Sequence, residues 1–384
     1  MSSTEREAIP HPSTRHALTT LAHAPSMRAF LGLAVSLAVP IVVSLTVLKP
    51  LFEYLFPDDP VARTVRRVLQ LLLLVGVPLL AIRMMRLHQR HIRQAALIRI
   101  VVGGVVILLL PSGLLGGLLR PGISVLLPDE KLARAVAEML MVPAVVALYV
   151  ALFKLYEKRS IEELSLEGCL GTTAKGLAMG GLVPALTILL LFLGGFYTVV
   201  ATNHASVLLY AVISLTFASF QEELFFRGVV HRICEQQLGT HLAVAISASV
   251  FAAAHLSNEN SSPAGMLSAG MGGALLGALF SLTGRLWAPI SFHLSWNVAQ
   301  VFFGSSVSGV AEYGGFIEAR FRGPDALTGG AFGIESSVPL LAGLLILIIV
   351  EYALMIRRGR VVRPAWEKPA LAPGPQVARA PAGA

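Results

Sequence analysis

The sequence predicts an all-α fold: a polytopic transmembrane helical bundle of about ten spans with both termini cytoplasmic. Three observations lead there. Of the 384 residues 55% are hydrophobic and only 14% charged, with a mean hydropathy of +0.73. The apolar residues lie in long uninterrupted runs, which a soluble core buried on one helical stripe does not need. Lysines and arginines, finally, sit beside those runs and do not form a patch interleaved with aromatics. The formal net charge of +8 is therefore read as a topology signal, and nucleic acid is excluded as a partner.

At about 20 apolar residues per span, spans are expected at Ala29–Val47, Val68–Ile82, Ile100–Leu119, Ala135–Phe153 and Leu177–Val199. Further spans are expected at Ser206–Phe226, His241–Leu256, Met266–Leu282, Leu286–Phe303 and Val338–Ile356. Cytoplasmic loops carry an excess of Lys and Arg. One such cluster is Arg83, Arg86, Arg90, Arg93 and Arg99, and another is Arg357, Arg358, Arg360, Arg363 and Lys368. An even number of spans puts both on the inside, together with Arg227 and Arg232. The stretch from Gly304 to Ser337, where Glu312, Glu318, Asp325 and Glu335 offset Arg320 and Arg322, falls outside.

This divides the chain into a polar N-terminal segment (1–26), a four-helix membrane extension (27–160), a core (161–304), an extramembrane loop (305–337), a last transmembrane helix (338–358) and a Pro/Ala-rich disordered tail (359–384). No small-residue cleavage site follows a short apolar run, so the N-terminus is expected to be retained. Cys169 and Cys234 are far apart and without metal-ligand spacing, which supports neither a disulfide framework nor a zinc knuckle. Gly265, Ala269, Gly273 and Gly277 recur every fourth residue and bare one helix face for close packing.

Ionisable residues inside spans are costly and mark function. Gln221-Glu222-Glu223-Leu224-Phe225-Phe226-Arg227 runs on from an apolar stretch, and Glu223 and Arg227 are one helical turn apart and can pair. Glu222 then projects elsewhere without a local partner. In Phe251-Ala252-Ala253-Ala254-His255 three alanines leave space around the histidine, with Phe251 one turn away. His293 and Asn297 share one face of an apolar helix. Gly239 is a natural turn nearly equidistant from Glu222 and His255, so an antiparallel hairpin brings the two to one depth, about 25 Å from the turn at helical rise.

Such a set supplies a base for water, donors for an oxyanion and a proton for a leaving amine. Glu222 with His255 would polarise the water, Arg227 would hold Glu223, and His293 with Asn297 would donate to the oxyanion. Glu222, His255 and His293 could equally be ligands of a zinc ion with an open water position. No His-Glu-x-x-His helix and no Gly-x-Ser-x-Gly elbow is present. Other embedded groups have structural readings: Glu138 and Glu351 as interfacial or helix-pairing residues, Trp287 and Trp296 as belt or cleft walls. His231, Glu235 and His241 are expected to border a solvated cytoplasmic turn.

Glu222-Glu223-x-x-x-Arg227, Phe251-x-x-x-His255 and His293-x-x-x-Asn297, in this order, resemble the three-motif signature of the CAAX protease and bacteriocin-processing (CPBP, Abi) family, which includes the type II CAAX prenyl endopeptidases. The resemblance covers roughly Glu163 to Phe303. It implies an intramembrane endopeptidase in which Glu222 and His255 activate water, Glu223 and Arg227 support them, and His293 and Asn297 are oxyanion donors or metal ligands. Zn2+ is an optional cofactor. The partners implied are membrane lipids and a membrane-anchored, prenylated or leader-peptide substrate, and the Ala, Arg and Gly bias points to a bacterial inner membrane. An ion-coupled transporter and a non-enzymatic immunity or scaffold protein are the competing classes; the first calls for paired repeats with broken helices, which are absent from the sequence pattern.

Overall fold

The computed structural model describes residues 96–127 and 129–364. The expected spans at Ala29–Val47 and Val68–Ile82, and the tail beyond residue 364, lie outside the described residues. The chain divides into two compact units, Met1–Leu126 and Leu127–Ala384. In the first, residues 96–126 form a helical run in which π turns at Val105–Leu109 and Leu115–Leu119 interrupt the α-helix. The second carries every candidate site residue.

Among the described residues six helical stretches are long and apolar enough to cross a membrane: Ile98–Leu126, Glu130–Glu157, Cys169–Leu193, Ala205–Ser257, Pro263–Thr283 and Val338–Arg357. Their outward faces are apolar. On the third, Leu170, Leu177, Leu182, Leu189, Phe192 and Leu193 are all exposed. Apolar side chains gain nothing from facing water, and a bilayer is the medium in which such a surface is stable.

The second unit begins with α1 (Glu130–Ala151), capped by the Asp129 carboxylate, which accepts from the backbone N–H of Lys131 and Leu132 at 2.9 Å. Then follow α2 (Cys169–Leu193), β1 (Tyr197–Thr202), α3 (Ala205–Phe225), α4 (Arg232–Ala254), α5 (Pro263–Thr283), α6 (Trp287–Phe302), β2 (Ile317–Phe321) and α7 (Val338–Arg357). The most extensive helix contact joins α2 to α6. Gly176 and Gly180 permit it: a Cβ at Gly180 would lie 2.2 Å from the Phe292 carbonyl oxygen, and one at Gly176 would lie 2.1 Å from the Ser291 hydroxyl. The small-residue face of α5 works in the same way against α4, with Gly273 directly against Ala248. A core of Val183, Leu191, Leu275, Leu279, Phe292 and Leu344 fills the space between α2, α5, α6 and α7.

Three expectations need correction. The span expected to run to Val199 ends at Leu193. Gly194 and Gly195, the latter at φ 77°, turn the chain, and the β-branched run that follows is a strand. That strand pairs antiparallel with β2, so the bundle carries a small two-stranded sheet and is not purely helical. His231 does not border solvent. It is completely buried, its Nε2 2.8 Å from the Ser281 hydroxyl, which in turn donates to Glu235. Expected spans from Ile100 onward each fall on a described helix, but α6 has only 16 residues, short of a full crossing.

Candidate active site

The site is built around a helix that changes pitch. α3 ends in Gln221-Glu222-Glu223-Leu224-Phe225 and passes into a π turn, Phe226–His231, all six residues of which are buried. A π turn accommodates one extra residue and is often found where side chains must be re-aimed. α4 then bends at Gly239, whose φ of 77° and ψ of 169° lie where an L side chain is strained. The hairpin expected at this glycine is therefore present. It brings Phe226 to 5.0 Å from Phe251, ring to ring, and the Ser247 hydroxyl donates to the Phe226 carbonyl at 3.1 Å. The next turn outward on each arm carries Glu222 and His255.

Glu223 and Arg227 pair as their spacing predicts, at 2.7 Å, and both are fully buried. The guanidinium also donates to the Gly273 carbonyl at 3.1 Å and stands 4.7 Å over the Phe251 ring. Here the bare face of α5 has a second use, because the glycine leaves its carbonyl open to the arginine. The oxygen of Glu223 that binds Arg227 also accepts from His293 Nδ1 at 2.8 Å. One carboxylate thus ties α3, the π turn and α6 together.

His255 closes α4, half-buried, with its ring 4.6 Å from that of Phe251. Its Nδ1 lies 2.8 Å from the Phe251 carbonyl, which can only accept, so Nδ1 carries the proton. The neutral imidazole then presents an unprotonated Nε2. The same reasoning applied to His293, whose Nδ1 donates to Glu223, means that Nε2 of His293 can donate only when the ring is an imidazolium.

Beside these histidines is a cavity of about 40 Å³ lined by Phe251, His255, Ser268, Ala269, Gly272, Leu276, Phe292, His293, Trp296, Asn297, Ser308 and Glu335. It has room for about three water molecules and not for a peptide. His255, His293 and Asn297 meet there. Glu222 and Glu223 are not in its lining; Glu223 reaches it through His293. The charge of Glu222 acts on both Arg227 and His293, and its Oε2 is buried without a hydrogen-bond partner.

Glu335 lies in this lining although its sequence position suggests an outer-loop charge. It is 5% exposed; one oxygen accepts from Trp296 Nε1 at 2.6 Å and Gln300 Nε2 at 2.7 Å, the other from the Ser308 hydroxyl at 2.8 Å. Asn258, just past His255, donates to the Ser308 carbonyl at 2.7 Å. The loop from Gly304 to Ser337 is thus fastened over the ends of α4 and α6. The only sequence signal was the small residues Gly333, Ser336 and Ser337 around the acid.

Of the remaining embedded acids, Glu138 is a helix-pairing group, bound by Arg134 at 2.8 Å and by the Ser214 hydroxyl of α3. Glu351 lines a different cavity. Among the described residues no three His, Cys, Asp or Glu side chains gather at metal-holding spacing.

Residues 203–299 match the family described as type II CAAX prenyl endopeptidase, Rce1-like. No curated protein and no solved structure matches the chain. The matched segment holds Glu222, Glu223, Arg227, His255, His293 and Asn297 together, so the part of the chain that carries the candidate site is similar to the Rce1-like type II CAAX prenyl endopeptidases.

Proposed function

We propose that the protein is an intramembrane endopeptidase that cleaves membrane-anchored or lipidated protein substrates with water activated by Glu222 and His255. The observation that carries this reading is the division between two adjacent carboxylates. Each keeps one buried oxygen with no partner, but the other oxygen of Glu223 is engaged by Arg227 and His293, whereas no described side chain hydrogen-bonds Glu222, one turn from the point where Phe226 meets Phe251. A buried acceptor of this kind costs about 1–3 kcal/mol unless a donor reaches it, and a water is the smallest donor that can.

In the proposed reaction Glu222 and the Nε2 lone pair of His255 take a proton from water, and the oxygen adds to the scissile carbonyl carbon. Asn297 and His293, the latter as imidazolium, donate to the developing oxyanion. Two carboxylates, Glu222 and Glu223, then balance two cations, Arg227 and His293, in a low-dielectric site where an uncompensated charge is costly. Collapse of the tetrahedral intermediate breaks the C–N bond, and the proton taken from water passes to the leaving amine. The substrate comes through the lipid-facing side, where Ala253, Ala254 and Leu256 flank His255 and are exposed.

The test compares cleavage of a membrane-anchored reporter, with and without a prenyl group, by the full-length protein in detergent. Glu222→Ala and His255→Ala should each lose at least 100-fold in rate, and Asn297→Ala about 100- to 1,000-fold in kcat, with unchanged thermal unfolding. Full activity in both Glu222→Ala and His255→Ala would overturn the reading. Bound metal is measured by mass spectrometry on the same samples; stoichiometric zinc that the Glu222 and His255 variants lose would replace carboxylate-activated water with a metal-bound one.

A further inference from the structure

A second cavity, of about 380 Å³, opens between α2, α5, α6 and α7 at the end of the bundle where α7 finishes in Arg357. Its volume falls within the range of small-ligand sites, and the first cavity is far below it. Apolar side chains of Met179, Leu279, Leu282 and Leu354 form much of the wall, and Lys175, Arg358 and Arg360 bring three positive charges to it. None of these cations is within ion-pair distance of a described carboxylate. Lys175 is six residues past the start of α2 and Glu351 six residues before the end of α7, so each is about 9 Å inside its helix.

A cation that deep in an apolar helix would ordinarily snorkel outward, and it is stable only beside a counter-charge or water. Arg358 and Arg360 stand at the same mouth. With Glu351 the sum over the described lining is three positive charges and one negative, a net +2. The combination of a cationic mouth with an apolar wall, at the end of a bundle of apolar helices, matches an amphiphile that has an anionic head and acyl chains.

We propose that this cavity is a binding site for the phosphate headgroup of an anionic glycerophospholipid, held by Lys175, Arg358 and Arg360, with an acyl chain along Met179, Leu279 and Leu354. The site is separate from the water cavity at His255 and does not depend on the protease reading. It gives α2 and α7, which meet only lightly elsewhere, a shared ligand at their charged ends.

The experiment is native mass spectrometry of the full-length protein in detergent, titrated with phosphatidylglycerol, with phosphatidylcholine of identical chains, and with inorganic phosphate. Wild type is compared with Lys175→Gln/Arg358→Gln/Arg360→Gln and with Lys158→Gln/Arg357→Gln/Arg363→Gln, which removes as many charges at the same end outside the cavity. Thermal unfolding without lipid shows that both variants remain folded. Phosphatidylglycerol should be retained at least tenfold better than phosphatidylcholine by wild type and by the second variant, and the first variant should lose that preference. Equal loss in both variants, or no preference in wild type, overturns the proposal. Inorganic phosphate bound with the same dependence while phosphatidylglycerol is not retained also overturns it, by assigning the cavity to a free anion.

Discussion

Glu223 is the residue on which the others depend. Its side chain is out of contact with solvent, and a single oxygen serves Arg227 and His293 at 2.7 and 2.8 Å. Removing it leaves the Arg227 charge buried and unpaired, which costs about 3–5 kcal/mol. Glu223→Ala should therefore lower the unfolding temperature in detergent well below that of Glu222→Ala, and adding Arg227→Met should recover part of the loss. Equal midpoints for Glu222→Ala and Glu223→Ala would mean that the two acids share one role. The pair was legible in the sequence because four-residue spacing fixes which groups meet on a helix. The His293 link was legible only as a shared chemistry. Glu335 was legible only as an outer-loop charge, since its partners Trp296 and Gln300 lie 39 and 35 residues away and no local pattern encodes that return.

At the scale of elements, the turn between α1 and α2 shows how a charged group is held at the bundle surface. Burial disfavours the Glu163 carboxylate, but hydrogen bonds from Arg159 and Tyr149 outweigh it and keep the group below its ordinary value of 4.5. A depressed carboxylate stabilises the fold above its unfolded value, and that contribution disappears as the pH falls through the folded one. The protein in detergent should thus lose stability below about pH 4, and Glu163→Gln should be less stable at neutral pH and flatter across the acid range. An unchanged acid limb in that variant would remove Glu163 from the account. Helix positions were readable here because apolar runs are long, but their internal breaks were not. The run through Val199 has the composition of a span, and only pairing with β2, more than a hundred residues on, makes its end a strand. The π turn at Phe226–His231 likewise has no signature in the apolar pattern; it exists because Arg227 and His231 find partners on α5.

For the molecule as a whole, the helix ends sort into two sets. Lys158, Arg159, Arg285, Arg357, Arg358 and Arg360 gather at the Gly239 end, where Trp287 Nε1 donates to the Ser165 carbonyl at 2.9 Å and Gly239 lies beside Val362 and Pro364. The opposite end holds the two-stranded sheet and the loop fastened over His255. Lys and Arg excess marks the cytoplasmic side. In a background without Cys169 and Cys234, single cysteines at Lys158 and Arg363 should resist a membrane-impermeant maleimide in intact cells, while one at Glu318 is labelled. The reverse pattern would invert the orientation. The composition announced a membrane bundle, and the motifs announced its centre, because both are written in residue types. How the outer loop closes over that centre was hidden, because it is written in contacts between distant segments.

One of those contacts bears on the order in which the protein becomes whole. At the Gly239 corner Thr240 and Val362 exchange two hydrogen bonds, Thr240 N–H to the Val362 carbonyl at 3.1 Å and Val362 N–H to the Thr240 hydroxyl at 2.8 Å, across 122 residues of sequence. The hairpin carrying Glu222 and His255 leaves the ribosome long before residue 362 does. Its corner is therefore latched by a strand of chain that emerges only after α5, α6, the outer loop and α7 have followed, and closing so long a loop comes late in folding. A nascent chain at the hairpin stage already has Glu222 and His255 but neither His293 nor the latch, so the candidate site stays unfinished until nearly all of the chain has been made.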